Sequence, residues 1–232
     1  MDLIWEGLKQ AVSMLAHGDP ELWRVTALTL RVSGVATLIS VLVGVPIGIV
    51  LGLSRFPGRR ILISVVNTGM GLPPVVVGLW VVLFLWRSGP LGSLGLVYTP
   101  TAIVIAQTII ATPVVAGLTL TGIGALDPKL FLQIRALGAS RLQLYWLLLR
   151  EARLAILAAV IAGFGSVVSE VGASNMVGGN LMGQTRVLTT AIMSEVSRAH
   201  YPLAIAISVV LLLLAYGVTL ILTFIQQRER QP

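Results

Sequence analysis

The chain has 232 residues, 56% of them hydrophobic and 11% charged, with a formal charge of +7. A water-soluble domain carries about 25% charged residues, so this composition excludes one and predicts an integral membrane protein. The sixteen basic residues are dispersed between apolar runs, which argues against a nucleic-acid-binding face; the absence of cysteine excludes disulfides and thiolate metal sites.

Residues 1–21 lack a basic start and are interrupted by Glu6 and Lys9, so they do not read as a signal peptide. Leu3, Leu8, Val12 and Leu15 can share one face of a short helix on the membrane surface; a tail is the alternative. Residues 22–232 read as one transmembrane domain. A bilayer core takes about 20 apolar residues per helix. Stretches 32–54, 61–86, about 100–120, 154–174 and 201–227 each supply one, the fourth interrupted by Glu170, so five spans are predicted. Pro73 and Pro74 break the second span and Pro113, after Thr112, bends the third. Prolines in membrane helices free carbonyls and often mark cavities. These sites and the glycines of VGVPIGIVLG (43–52) also suit close helix packing.

Five spans put the termini on opposite sides. One set of span ends holds Arg55, Arg59, Arg60, Lys129, Arg135, Arg141, Arg150, Arg153, Arg228 and Arg230. The other holds Lys9, Arg24, Arg31, Arg87, Arg186 and Arg198. The richer set belongs in the cytoplasm, which places the N-terminus outside and the C-terminus inside.

Between the third and fourth spans stands DPKLFLQIRALGASRLQLYWLLLREAR, residues 127–153. Asp127 can cap a helix over 128–137 with Pro128 at its first position. Gly138 can end it in a left-handed conformation. Ser140 and Gln143 form a capping box for a second helix, expected to run uninterrupted into the fourth span. Leu130, Ile134 and Leu137 make an apolar stripe, with Phe131 at its edge and Arg135 elsewhere. The stripe can bury against its own bundle or against a soluble partner, as a mechanical handle.

RALGASRLQLYWLLLREARLAILAAVIAGF (135–164) resembles the cytoplasmic coupling loop of binding-protein-dependent ABC importer permeases. Gly138 matches the glycine of that loop, while Leu132, Gln133 and Ile134 stand in place of Glu-Ala-Ala and Arg150-Glu151 in place of Leu-Pro. SEVGASNMVGGNLMGQTRVLTTAI (169–192) is similar to the molybdate, sulfate and tungstate branch, with MVGGN and TRVLTTAI looking most like the tungstate type.

The resemblance implies an all-α polytopic bundle of the type I ABC importer permease fold in a prokaryotic plasma membrane. It implies a second copy of the chain, two cytoplasmic ATPase subunits that hold ATP and Mg, and an external binding protein. The chain itself carries no Gly-x-x-x-x-Gly-Lys-Ser/Thr loop, so it reads as a transport subunit, not an enzyme, with no cofactor of its own. The implied cargo is a tetrahedral oxyanion, tungstate or molybdate, moved by alternating access. Sulfate or an amino acid is the alternative cargo. A self-contained channel or secondary transporter is the alternative class, and it would show an inverted repeat or paired mid-membrane charges. A membrane enzyme lacks support, with no His-Glu-x-x-His or Gly-x-Ser-x-Gly.

The residues expected to couple to the ATPase are Leu130, Ile134, Arg135, Ala136, Leu137, Gly138, Ala139 and Ser140. Those expected at the path or gate are Pro73, Pro74, Thr112, Pro113, Ser166, Glu170, Gly172 and Asn175. No Lys or Arg interrupts the middle of a span, so neutral donors such as Thr112, Ser166 or backbone amides would line an anion path. Glu170 is expected to cap a helix end or to pair with Arg186 near the outer gate. Arg186 and Arg198 are expected at the mouth, facing the anion or acidic residues of the binding protein. His17 and His200 are too few and too far apart in sequence for a metal site.

Overall fold

The computed structural model describes residues 2–228, and among these all regular structure is helical. Arg230, counted above at one set of span ends, lies outside the described residues. Three helices are long and apolar enough to cross a membrane: α2 (Pro20–Leu53), α5 (Pro100–Gly124) and α11 (Tyr201–Arg228). Two bent pairs bring the count to five if each is one span.

α1 (Asp2–Ala16) is a surface helix that packs Gly7 against Ile205 of α11 and exposes Leu3, Ile4, Trp5, Leu8 and Val12. Asp19 then caps α2, its Oδ1 accepting from Leu22 N at 2.9 Å, with Pro20 opening the helix. At 34 residues, α2 is about 51 Å long. It lies in backbone contact with α5 through glycines four residues apart. A Cβ on Gly44 would stand 2.9 Å from Thr112 O, and one on Gly48 2.6 Å from both Ala116 O and Thr119 Cβ. A Cβ on Gly52 would meet Ile123 Cγ2 at 2.7 Å. This is the small-residue spacing that brings membrane helices close in the absence of a hydrophobic drive.

The second apolar run is not one straight span. It forms α3 (Arg59–Met70) and α4 (Pro74–Leu85), bent by 101°. Gly71 ends α3 while Pro73 and Pro74 offer no N–H to continue it. Each half has 12 residues, about 18 Å, too short for a core of about 30 Å. The fourth run also breaks: α8 (Arg153–Val168) stops before Glu170, and a short α9 (Gly172–Gly178) follows. α10 (Leu188–Ser197) then leads to α11.

In the central segment α6 (Pro128–Ala136) is capped by Asp127, whose Oδ1 accepts from Lys129 N at 2.8 Å. Gly138 has φ +75°, the left-handed conformation. Ser140 and Gln143 complete a capping box at α7 (Arg141–Glu151). The expected uninterrupted run into the fourth span is corrected: α7 and α8 meet at 66°. Ala152 sits at the joint with ψ 1° instead of the helical value near −42°. The bend has a packing cause. Leu144 and Leu148 of α7 bury against Ile134, Leu53 and Leu126, so α7 lies across the end of the bundle instead of extending α8.

Candidate functional site

The two helix breaks meet. A Cβ on Gly172, the first residue of α9, would be 2.6 Å from Val75 Cγ2 on the first turn of α4, and one on Gly78 would be 2.7 Å from Ala173 Cα. α5 runs behind both, joined to α3 where Gly69 faces Pro113. From α5 the buried Gln107 reaches across the break in the fourth run. Its Nε2 donates to Val167 O at 3.1 Å and to Ser174 Oγ at 3.3 Å. The first contact adds a second donor to a carbonyl of the last turn of α8 that also accepts from Glu170 N at 3.2 Å; the second anchors α9.

Glu170 lies in this break and is 7% exposed. Its Oε1 accepts from Ala173 N at 2.7 Å, and its carbonyl accepts from Thr189 Oγ1 at 2.8 Å. The carboxylate therefore occupies the positive end of α9 and takes the Ala173 amide there. The expected pair with Arg186 is not formed. Arg186, 8% exposed, places Nη1 3.9 Å from Glu195 Oε1. The buried Glu195 also receives Arg198 Nη1 at 3.6 Å and contacts His200 Nδ1 at 2.9 Å. Arg186 thus neutralises a buried carboxylate. Arg198 does remain exposed.

A cap that acts through its acceptor oxygen makes a graded prediction. Glu170→Gln keeps an acceptor and should unfold close to the wild type, whereas Glu170→Leu should lose about 1–2 kcal/mol. Thermal unfolding of the two purified variants reads the difference, and equal midpoints would remove the cap.

The exposed surface around the breaks mixes apolar residues, Ile61, Val65, Leu72 and Val75 among them, with small and polar ones. α11 presents Leu212, Leu213, Tyr216, Leu220, Ile221 and Phe224, which suit lipid. α3 presents Ser64, Asn67 and Thr68, the turn presents Gly71 and Pro73, and α8 presents Gly165 and Ser169. Polar side chains at membrane depth face protein or a water-filled cavity, not lipid. Thr112 and Ser166, both half-buried, border this face with hydroxyls bonded to Thr108 O at 2.7 Å and Gly163 O at 2.8 Å. Each retains oxygen lone pairs but has used its donor. Pro74, Pro113, Gly172 and Asn175 are half-buried in the same region.

Sequence reasoning missed Asn67 and Thr68, which stand in an apolar run without a charge to mark them, and Ser169, the neighbour of Glu170. Gln107 and Glu195 were missed as well; Gln107 is a lone amide in the third span, and its position in mid-span was the available signal. Among the described residues, no group of three His, Asp or Glu gathers as a metal site.

At the other end of the bundle, Ile134 is buried with Leu144 and Leu148, while Leu130, Phe131 and Ala139 pack against them. The apolar stripe thus faces its own bundle. Outward lie Leu132, Leu137 and Leu142, at 70%, 86% and 80% exposed. Arg135, Ala136, Gly138 and Ser140 are exposed beside them.

The family described as "Binding-protein-dependent transport system inner membrane component" matches residues 44–231. The chain is 37% identical to the tungstate uptake system permease protein of Peptoclostridium acidaminophilum over 98% of its own length and all of that protein. It is 40% identical to a probable anion ABC transporter permease protein of Haloferax volcanii, covering 88% of this chain and 92% of the other. Among solved structures, a methionine ABC transporter in an inward-facing conformation superposes with a TM-score of 0.74 at 22% identity, covering 91% of this chain and 98% of that one.

Proposed function

The chain belongs to the family of binding-protein-dependent transport system inner membrane components, with a type I ABC importer permease fold, and we propose that it moves a tetrahedral oxyanion, tungstate or molybdate, inward by alternating access. The observation that carries this reading is the neutral polar face where the two broken helices meet. It offers the hydroxyls of Ser64 and Thr68 and the amide of Asn67 without a fixed cation that would hold a dianion too tightly to release. The 37% identity to a tungstate permease supports the choice of cargo.

In this reading two copies enclose the path between their polar faces, and the N-terminus lies outside. Two cytoplasmic ATPase subunits, which hold ATP and Mg, grip Leu132, Leu137 and Leu142. An external binding protein delivers the anion on the side of Arg198. Displacement of α6 passes through the Ile134, Leu144 and Leu148 cluster to Leu53 and Leu126, at the ends of α2 and α5. It also passes through the Ala152 joint into α8, whose far end holds the break that Gln107 fastens. The bundle then repacks between two arrangements.

The test is reconstitution of the chain with its ATPase and binding-protein partners. Binding protein loaded with tungstate or molybdate should stimulate ATP hydrolysis, and protein loaded with sulfate or methionine should do so less. A folded permease that retains no ATPase would overturn the reading. Because the chain has no cysteine, a thiol introduced at Leu132 tests orientation: labelling by an impermeant reagent in intact cells would reverse the assignment of sides.

Gly138→Val is expected to slow uptake more than ATP hydrolysis, because a β-branched residue at φ +75° strains the turn by about 1–2 kcal/mol. Gly138→Asn should retain most of the coupling, since asparagine tolerates that conformation. Equal uptake by the valine and asparagine variants would exclude turn strain as the cause.

A further inference from the structure

We propose that the cavity beneath α1 is a binding site for a phospholipid with a primary-amine zwitterionic headgroup, of the phosphatidylethanolamine kind. The proposal needs only that the chain is embedded in a bilayer and does not depend on the cargo.

The cavity measures about 340 Å³ and lies between α1, the start of α2, α10 and the start of α11, within the range of ligand sites at about 300–1,000 Å³. A smaller space of about 110 Å³ adjoins it and shares Glu21 and Arg186. Each of these two residues carries a buried polar atom without a partner: Nε of Arg186 is a donor and Oε1 of Glu21 an acceptor. Their other atoms are engaged, Arg186 Nη1 with Glu195 at 3.9 Å and Glu21 Oε2 with Arg24 at 3.9 Å. Buried polar groups are ordinarily paired. An idle cation donor and an idle carboxylate acceptor on one cavity wall together call for a ligand with an anionic oxygen and an N–H-bearing cation.

The rest of the wall identifies the source. Besides Gln10, the wall holds Asp19, which caps α2, and Glu195, which is engaged by Arg198 and His200; Met14, Leu22, Leu203 and Ile207 are apolar, which suits the glycerol and acyl part of a lipid. Leu203 and Ile207 lie on the first two turns of α11, a helix of 28 residues. At about 42 Å it is longer than a core of about 30 Å, which leaves room for its first turn at headgroup level. α1 exposes Trp5, Leu8 and Val12 alongside, as an interfacial helix does. The phosphate accepts from Arg186 Nε and the ammonium donates to Glu21 Oε1. A choline headgroup has no N–H for Glu21, and a glycerol headgroup has no cation.

Delipidated permease titrated with phosphatidylethanolamine, phosphatidylcholine or phosphatidylglycerol, read by native mass spectrometry, tests the assignment. The ethanolamine lipid should bind at least about tenfold more tightly than the choline lipid, a difference of about 1.4 kcal/mol. Glu21→Leu, at a part-exposed position, should bring that ratio close to one and should not weaken phosphatidylglycerol, an anion that loses a repelling carboxylate. Arg186→Lys keeps a cation beside Glu195 but loses Nε, and should weaken all three lipids. Equal binding of the ethanolamine and choline lipids to the wild type would overturn the proposal, as would an unchanged ratio in Glu21→Leu. Soluble phosphoethanolamine binding as tightly as the lipid would overturn it too, assigning the cavity to a free zwitterion.

Discussion

An aspartate in place of Leu137 is expected to release the ATPase subunits from the purified permease while the permease itself stays folded. Leu137 is 86% exposed, and substitutions at such positions usually change stability by no more than about 0.5 kcal/mol. An apolar anchor at the centre of a partner's pocket, by contrast, contributes about 2 kcal/mol or more, roughly 30-fold in Kd; a buried carboxylate adds its desolvation cost. Pull-down stoichiometry and the thermal midpoint of the permease alone separate the two effects. Wild-type retention of ATPase by the aspartate variant would move the docking surface elsewhere.

Gly48→Leu carries the largest expected loss of stability. A Cβ there already meets the Ala116 carbonyl and Thr119 at 2.6 Å, and the opposing atoms include backbone, which cannot rotate aside. Overpacking of this kind costs about 3 kcal/mol, the upper end of the usual range. Gly34→Leu is the matched control: it lies on the same helix, but nothing stands within 4 Å of its Cβ position. The first variant should unfold well below the wild type in detergent and the second close to it. Coincident midpoints would mean that α2 and α5 are not held in backbone contact.

Local features of this fold were legible in the sequence because their causes are local. The Asp127 cap, the left-handed Gly138 and the Ser140–Gln143 box each depend on residues within a few positions of one another. The prolines at 73 and 74 marked a break, but not the 101° angle, which depends on α4 packing against α9. The second helix of the central segment reads as continuous with the fourth span because no proline or glycine marks Ala152. The bend there comes from burial of Leu144 and Leu148 on distant residues.

Leu137 shows how a one-residue boundary matters. Helical spacing aligned it with Leu130 and Ile134, yet α6 ends at Ala136 and Leu137 turns outward. Charge pairing was the least legible feature. Glu170 had the properties of a cap, but whether Arg186 would meet Glu170 or Glu195 depends on the path of the loop at 179–187, where Gly179, Asn180 and Gly183 adopt positive φ.

The glycine seam between α2 and α5 has a consequence for how such a protein changes over time. The atoms that hold this seam together are main chain and methyl groups of α2 and α5, while the exposed Ser64, Asn67 and Thr68 beside the first break stand on α3. Exchanging those three residues leaves the seam untouched, so in the proposed reading cargo preference can drift without a compensating repair of the scaffold. Selectivity and durability are therefore inherited through separate sets of positions.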